Sequence, residues 1–125
     1  MENKPTESEL EILQILWQRK EATVREVHEV LQERKNVGYT TTLKLMQIML
    51  EKGLVKRNDE SRSHIYIPVL NQEKAQKDLL SRFVEGVFGG SRMDLLMKVL
   101  GDQTSSPQEI EQIREFLNKI EKTKS

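Results

Sequence analysis

Polar side chains of the kind that bind nucleic acid recur along a predicted helix over residues 40–52. The half of this helix that faces away from its apolar residues carries Thr40, Thr41, Lys44 and Gln47. Hydroxyl groups bond to phosphate oxygens or base edges, glutamine suits adenine, and lysine suits guanine or phosphate. These residue types predict recognition of a nucleic acid, and we name this segment the reading helix.

Two apolar side chains interrupt the polar half of the reading helix. Ile48 lies within it, and Leu43 lies at its border. Apolar side chains on a face that should be wet are explained if they contact thymine methyl groups in DNA. Scattered exposed apolar residues are also normal on soluble proteins. Both explanations stay open from the sequence alone.

A predicted β-hairpin, which we name the wing, follows the reading helix directly. Gly53 ends the helix because glycine adopts the left-handed conformation of a helix C-terminus at little cost. Strands over Leu54–Arg57 and His64–Ile67 come next, separated by a polar tip. Pro68 ends the second strand because proline cannot donate to a strand ladder.

Several wing side chains are suited to phosphates or to the minor groove. They are Lys56, Arg57, Ser61, Arg62, Ser63 and His64. The alternative for Arg57 is a salt bridge within the wing to Asp59 or Glu60. The alternative for His64 is an ordinary strand residue with no special role.

Two further helices precede the reading helix. Capping boxes open both of them, Thr6 with Glu9 and Thr23 with Glu26, and Thr40 is predicted to cap the reading helix itself. Helices followed by a β-hairpin predict a winged helix-turn-helix, in which one helix enters the major groove and the wing contacts the adjacent backbone. The predicted fold class is mainly α with a small β-hairpin, and residues 1–70 form the DNA-binding domain.

Residues 71–125 are predicted to be helical. Segments beginning at Asn71, Ser91 and Ser106 each carry an apolar face that they cannot bury alone. A helical segment with this much uncovered apolar surface is most simply a dimerisation domain. The predicted dimerisation residues are Leu79, Leu80, Phe83, Val84, Leu95, Leu96, Phe116, Leu117 and Ile120. The alternative is that these helices pack within the chain onto the first domain.

The distribution of charge says more than its total. The chain of 125 residues has a net charge of zero, from 20 basic and 20 acidic residues. Residues 34–64, however, carry seven basic and three acidic side chains, a net of +4, whereas residues 1–33 carry four and eight, a net of −4. Positive charge therefore collects on the reading helix and the wing, where phosphates would need it. The alternative is an ordinary mixed surface.

The sequence lacks the signatures of catalytic, metal-binding and membrane proteins. There is no cysteine, and neither His28 nor His64 has neighbours at metal-ligand spacing. No phosphate-binding loop, dinucleotide fingerprint or nucleophile elbow occurs. We therefore expect no enzyme activity, no metal and no cofactor. Because no apolar run approaches the ~20 residues of a membrane span and no signal peptide is recognisable, we expect a cytoplasmic protein.

An ordered set of segments resembles the penicillinase-repressor family of bacterial transcriptional regulators (BlaI/MecI/CopY type). The segments are PTESELEILQILW, TVREVHEVL, GYTTTLKLMQIMLEKGLVKR, RSHIYIP, FVEGVFGGS and SPQEIEQIREFL. The resemblance implies a homodimeric repressor that binds a palindromic double-stranded DNA operator overlapping a promoter. It also implies a membrane sensor-peptidase that signals induction, with cleavage of the repressor in its C-terminal part.

Three departures from the best-known members of this family matter. Those members have basic or polar residues at the positions of Leu43 and Ile48, so we expect a different operator. The segment SRMDLLMKVL lacks the Asn-Phe pair at which they are cut. The absence of cysteine excludes the copper-responsive branch with its cysteine-rich tail. A β-lactam response is therefore an association of the family rather than a property read from this sequence.

The competing interpretation is a winged-helix protein–protein interaction module. In it, the wing and the reading helix contact another protein. The positive segment and the Thr, Lys and Gln side chains favour DNA, whereas Leu43 and Ile48 favour the module. A salt titration separates the two, because phosphate neutralisation makes log affinity fall steeply with log salt concentration.

Overall fold

The computed structural model describes residues 4–60, 62–101 and 105–124. Their elements are α1 Glu7–Arg19, β1 Ala22–Thr23, α2 Val24–Arg34, α3 Tyr39–Lys52, β2 Val55–Asn58, β3 Ile65–Pro68, α4 Gln72–Phe88, α5 Arg92–Gly101 and α6 Pro107–Lys124. The reading helix is α3, and β2 and β3 form the wing. The observed fold is mainly α with a small β-sheet, as the sequence predicts.

Reciprocal side-chain caps start α1 and α2. The Thr6 hydroxyl accepts a hydrogen bond from the Glu9 N–H, and the Glu9 carboxylate accepts one from the Thr6 N–H at 2.8 Å. Thr23 and Glu26 form the same arrangement before α2. Each box satisfies two backbone donors at or beside the helix start. Both predicted capping boxes are confirmed.

The start of α3 differs from the prediction that Thr40 caps it. The helix begins at Tyr39, and its N-cap is Gly38, in an extended conformation and without a side-chain cap. The Thr42 N–H already donates to the Gly38 carbonyl at 3.2 Å, so helical hydrogen bonding begins earlier than predicted. At the other end, Gly53 stops the helix with φ +80°, a conformation that glycine adopts without steric cost.

The wing belongs to a three-stranded antiparallel sheet of order β1-β3-β2. Its strands begin and end one residue later than predicted, since Val55 pairs with Pro68 and Asn58 with Ile65. The strand β1, which was not predicted, pairs Thr23 with Ile65. Two residues are too few to show an alternating pattern. Because β1 directly precedes α2, this pairing holds the start of α2 beside the wing.

One apolar core lies behind α3. It is formed by Ile12, Leu13, Ile15, Leu16, Ala22, Val24, Val27, Leu31, Met46, Met49, Leu54, Val55 and Tyr66. Trp17 packs against this core and donates from Nε1 to the Leu70 carbonyl at 2.8 Å. Burial of apolar surface on one side of α3 holds the helix with its polar half towards solvent.

The chain divides into two compact units between Lys77 and Asp78, within α4. The second unit comprises the end of α4 together with α5 and α6. The predicted helix starts at Asn71, Ser91 and Ser106 are confirmed, because each side chain accepts a hydrogen bond from a backbone N–H three residues later. No residue of α5 or α6 is buried. The predicted domain boundary after residue 70 stays a prediction.

Candidate nucleic-acid interface

The outward face of α3 is polar and exposed. The predicted contact residues exposed on it are Thr40, Thr41, Lys44 and Gln47. Leu43 and Ile48 are half-buried, and Leu43 packs against the core. Part of the Leu43 side chain therefore has a structural role, and the remainder is available to a ligand.

A crevice of about 450 Å³ lies between the start of α2, the exposed face of α3 and the wing. Its lining residues are Thr23, Val24, Arg25, Tyr39, Leu43, Gln47, Arg57, Arg62, Ser63, His64 and Tyr66. The pairing of β1 with β3 explains why α2 takes part, since it anchors Thr23 next to the wing. The crevice thus joins side chains of the reading helix and of the wing on one surface.

The crevice is cationic. Arg25, Arg57 and Arg62 line it, and no Asp or Glu is found among its lining residues in the described part of the chain. Across residues 4–60, 62–101 and 105–124, neither Arg25 nor Arg62 forms a salt bridge with a carboxylate. Two arginines without a carboxylate partner among the described residues suit an anion such as a phosphodiester.

Arg57 is held in place by two neighbours in the wing. Its Nε donates to Asp59 Oδ1 at 2.7 Å, and its Nη2 donates to Asp59 Oδ2 at 3.3 Å. Hydrogen bonds with the side chain of Tyr66, its cross-strand partner, and with Asp59 raise the pKa of Arg57. The His64 Nδ1 lies 3.4 Å from the same carboxylate. The salt bridge within the wing, one of the two alternatives for Arg57, is therefore formed.

Half of the ten predicted DNA-contact residues come together in the crevice. They are Leu43, Gln47, Arg57, Arg62 and His64. The others lie on α3 or β2 outside its lining, and they are Thr40, Thr41, Lys44, Ile48 and Lys56. The wing candidate Ser63 also lines the crevice, whereas Ser61 lies outside the described residues. The assignment of these side chains to DNA stays a prediction.

Arg25 and Tyr39 line the crevice although neither was predicted to be a contact residue. The Thr23 capping box was a usable signal for Arg25, because a helix start attracts anions to the residues just after its cap. The nearness of that helix start to the wing depends on β1, which has no sequence pattern. Tyr39 was missed because the N-cap of α3 is Gly38 and not Thr40, two residues earlier than predicted, and Tyr39 is 45% exposed.

The predicted dimerisation residues lie mostly on exposed surface. Those that are exposed are Leu80, Phe83, Leu96, Phe116, Leu117 and Ile120. Leu79 and Leu95 are half-buried. Val84 is buried within the chain, so a partner has little of its side chain to contact. Further exposed apolar residues not selected from the sequence are Val87, Met93, Met97, Val99 and Leu100.

The described residues contain neither a metal-binding cluster nor a membrane-crossing helix. No three or more of their His, Asp and Glu side chains are grouped to hold a metal ion. No helix among them has the length and apolar content needed to cross a membrane. The polar groups of the crevice are guanidinium groups, an imidazole, hydroxyl groups and an amide, a set that can bind and orient an anionic ligand.

Comparison with known proteins finds relatives over nearly the whole chain. The sequence profile described as penicillinase repressor matches residues 5–119. The penicillinase repressor of Staphylococcus aureus is 24% identical over 125 residues, which cover 98% of this chain and 99% of that protein. The methicillin resistance regulatory protein MecI of Staphylococcus aureus strain N315 is 25% identical over 122 residues, covering 95% and 99%. The transcriptional regulator BlaI of Mycobacterium tuberculosis strain H37Rv is 33% identical over 88 residues, covering 69% and 64%.

A solved structure shares the fold. It is the solution structure of the DNA-binding domain of the repressor BlaI, with a TM-score of 0.52 and 19% sequence identity. The alignment covers 58% of this chain and 88% of that domain. At this identity the likeness shows the fold alone. The winged helix-turn-helix predicted from the sequence is confirmed.

Proposed function

The chain belongs to the penicillinase repressor family, and from this premise we propose that it is a transcriptional repressor that binds double-stranded DNA through α3 and the wing. Its relatives carry the names of repressors and transcriptional regulators. Membership of this family makes the protein a regulator and not an enzyme.

The observation that carries this proposal is the cationic crevice beside the exposed polar face of α3. The major groove of DNA is about 12 Å wide and admits an α-helix. With α3 in the groove, the wing and the adjacent start of α2 would approach the phosphate backbone that borders it. Arg62 of the wing and Arg25 at the start of α2 both line the crevice.

Side chains of the interface divide into base readers and phosphate contacts. The Gln47 amide is exposed and lines the crevice, so it suits a two-bond contact with adenine. Thr40 and Thr41 lie in the first turn of α3, the part of a recognition helix that contacts base edges. The half-exposed Leu43 and Ile48 suit thymine methyl groups. The side chains that we assign to phosphates are Arg25, Lys44, Lys56 and Arg62.

We further propose that the protein is a homodimer that binds a palindromic operator. Of the thirteen exposed large apolar side chains among the described residues, eleven lie between residues 80 and 120. Apolar side chains at this density favour association with a second copy. A two-fold symmetric dimer would present two copies of α3 to half-sites about one helical turn, roughly 34 Å, apart.

Sedimentation of the full chain at micromolar concentration tests the dimer. The expected result is a mass of two chains, and replacement of the exposed Phe116 by Asp should shift it towards one. Lys119→Asp, a neighbouring exposed position that is not apolar, is the control and should leave the dimer intact. A monomeric full-length protein would contradict the proposal.

The proposed route of induction is proteolysis linked to a membrane sensor-peptidase. Gly89 and Gly90 separate α4 from α5 with φ values of +58° and +87°, and both are exposed. Exposed glycines at a helix break are favoured sites of cleavage. A cut here would separate the DNA-binding heads from α5 and α6 and remove the affinity gained by tethering two heads.

A protein–protein interaction module is the second candidate function. Its support is the apolar surface on α3, where Tyr39 is exposed and Leu43 and Ile48 are half-exposed. The crevice beside them favours DNA instead, because its charges are positive and its lining lacks carboxylates among the described residues. The experiment that follows distinguishes DNA binding from binding to another protein.

Selection from a random pool of duplexes, followed by a salt titration, tests DNA binding. The full-length protein should enrich a palindrome, and log affinity for the selected duplex should fall steeply with log salt concentration. Lys98→Ala serves as the control, since this exposed α5 lysine lies outside α3 and the wing. The slope should be the same in this variant. Failure to enrich any sequence, together with a flat salt dependence, would contradict the proposal and favour the interaction module.

A further inference from the structure

A buried histidine on α2 contacts the first turn of α3 twice. His28 is 7% exposed. Its Nδ1 lies at hydrogen-bond distance, 3.0 Å, from the Thr42 Oγ1. Its ring meets the Tyr39 ring edge to face, with the ring centres 5.4 Å apart and the planes at 82°. Both partners belong to the first four residues of α3.

This turn lacks the side-chain cap that α1 and α2 possess. Its N-cap residue is Gly38, which has no side chain to accept a hydrogen bond from the free N–H groups. A helix start without such a cap is less stable than one with a capping side chain. The Thr42 hydroxyl lies 3.5 Å from the Gly38 carbonyl and 3.0 Å from His28, so it links the uncapped start of α3 to α2.

We propose that His28 is a positioning residue for DNA recognition, which clamps the first turn of α3 in the orientation that base contacts require. Thr40 and Thr41 lie between the two residues that His28 anchors, so movement of Tyr39 or Thr42 displaces them. A turn that is already ordered avoids the entropic cost of ordering when DNA binds. The inference rests on the proposed DNA-binding function.

Such a clamp should affect specific binding more than general binding. Base contacts depend on the angle of α3, whereas only one of the four side chains assigned to phosphates, Lys44, lies on α3. Loss of the clamp is therefore expected to weaken binding to a preferred duplex and to leave binding to other duplexes nearly unchanged. A merely structural role for His28 would weaken both alike.

Two variants at one position separate the hydrogen bond from packing. Thr42→Val keeps the shape of the side chain but removes the hydroxyl, which leaves the buried Nδ1 of His28 without this partner. Thr42→Ser keeps the hydroxyl and removes a methyl group. His28→Val removes both contacts with α3. Ile12→Val, at a fully buried position on α1, is the control for general loss of stability.

The experiment combines amide hydrogen exchange with DNA affinity, both on the full-length protein. Exchange is followed at the amides of residues 42–44, which close the first turn of α3, relative to the core of α1. Affinity is measured for a duplex selected from a random pool and for a shuffled duplex of the same composition. His28→Val and Thr42→Val should accelerate exchange at residues 42–44. They should also lower affinity for the selected duplex roughly tenfold, with little change on the shuffled one.

The control variants separate loss of the clamp from a general loss of stability. Thr42→Ser should retain both the exchange protection and the specific affinity, and Ile12→Val should change neither the local exchange pattern nor the ratio of the two affinities. Unchanged exchange at residues 42–44 in Thr42→Val would overturn the clamp, whatever the DNA result and even if His28→Val does not fold. Faster exchange with equal losses on both duplexes would overturn its role in reading. If the unmodified protein selects no duplex, both the proposed function and the role of His28 in base recognition are contradicted. The hydrogen-exchange rates then still show whether His28 orders the first turn of α3.

Discussion

Substitutions of different charged residues in the wing should change the salt dependence of DNA binding by different amounts. Arg62 lines the crevice and has no carboxylate partner among the described residues. Arg57 instead forms two hydrogen bonds with Asp59. Because the Arg57–Asp59 pair is neutral as a unit, we predict that Arg62→Ala flattens the salt dependence. Removing the pair together, as Arg57→Ala with Asp59→Ala, should leave it unchanged.

The magnitude follows from the cations assigned to phosphates. Arg25, Lys44, Lys56 and Arg62 give four contacts in each subunit, and twice that number in a dimer. Each contact contributes about −0.9 to the slope of log affinity against log salt concentration, so the unmodified dimer should show about −7. Arg62→Ala removes one contact per subunit, which brings the slope to about −5.5 and lowers affinity at ~0.1 M salt roughly 60-fold. Asp59→Asn releases Arg57 and should steepen the slope towards about −9.

Fluorescence anisotropy with a labelled duplex provides the measurement. A titration across ~50–200 mM salt covers the range in which phosphate contacts change affinity by orders of magnitude. The reasoning is refuted if removal of the Arg57–Asp59 pair flattens the slope as much as Arg62→Ala does, since Arg57 would then contact a phosphate despite its pairing. If Arg62→Ala leaves the slope unaltered, Arg62 does not contact a phosphate and the tip of the wing is not part of the interface.

Three further predictions concern reading, stability and cleavage. Gln47→Ala should cost roughly 1–3 kcal/mol on the selected duplex and little on a shuffled one, and equal losses on both would show that Gln47 is not a reader. Burial raises the pKa of Glu9, but hydrogen bonds from Lys52 and Thr6 outweigh it and hold the pKa below its ordinary value of 4.5. The stability from this depressed pKa is present above pH 4.5 and is lost as pH falls through the folded-state pKa. Glu9→Gln should therefore lower the free energy of unfolding by about 1–2 kcal/mol at pH 7 and by less in acid. Thermal melts of both proteins at pH 7 and in acid check this. Limited proteolysis of the free protein should cut first between about Gly86 and Met97, and first cuts in the wing or only at the termini would remove support for induction by cleavage.

Helix starts were predictable because their signals are local. The boxes of Thr6 with Glu9 and Thr23 with Glu26 place hydroxyl and carboxylate groups within three residues of the backbone donors that they satisfy. The start of α3 was predicted wrongly because it carries no such signal. Gly38 takes the N-cap position, and the nearby Thr40 resembles a cap residue in sequence alone.

The crevice depends on tertiary pairing that no short window of sequence contains. β1 is two residues long and exists through its pairing with β3, so the approach of Arg25 to the wing could not be inferred. The contact between His28 and Thr42 was hidden for the same reason, since the two residues are fourteen positions apart in sequence. The exposed polar face of α3, by contrast, follows from helical periodicity and was predictable.

The most direct measurement of the central claim is the change in amide chemical shifts of the isotope-labelled full-length protein when the selected duplex is added. If α3 and the wing bind DNA, the largest changes should fall in residues 39–48 and 55–66, with a smaller group at the start of α2 around Arg25. Residues of α6, on the second unit, should change little. Changes confined to α5 and α6, or no changes at saturating duplex, would contradict the account.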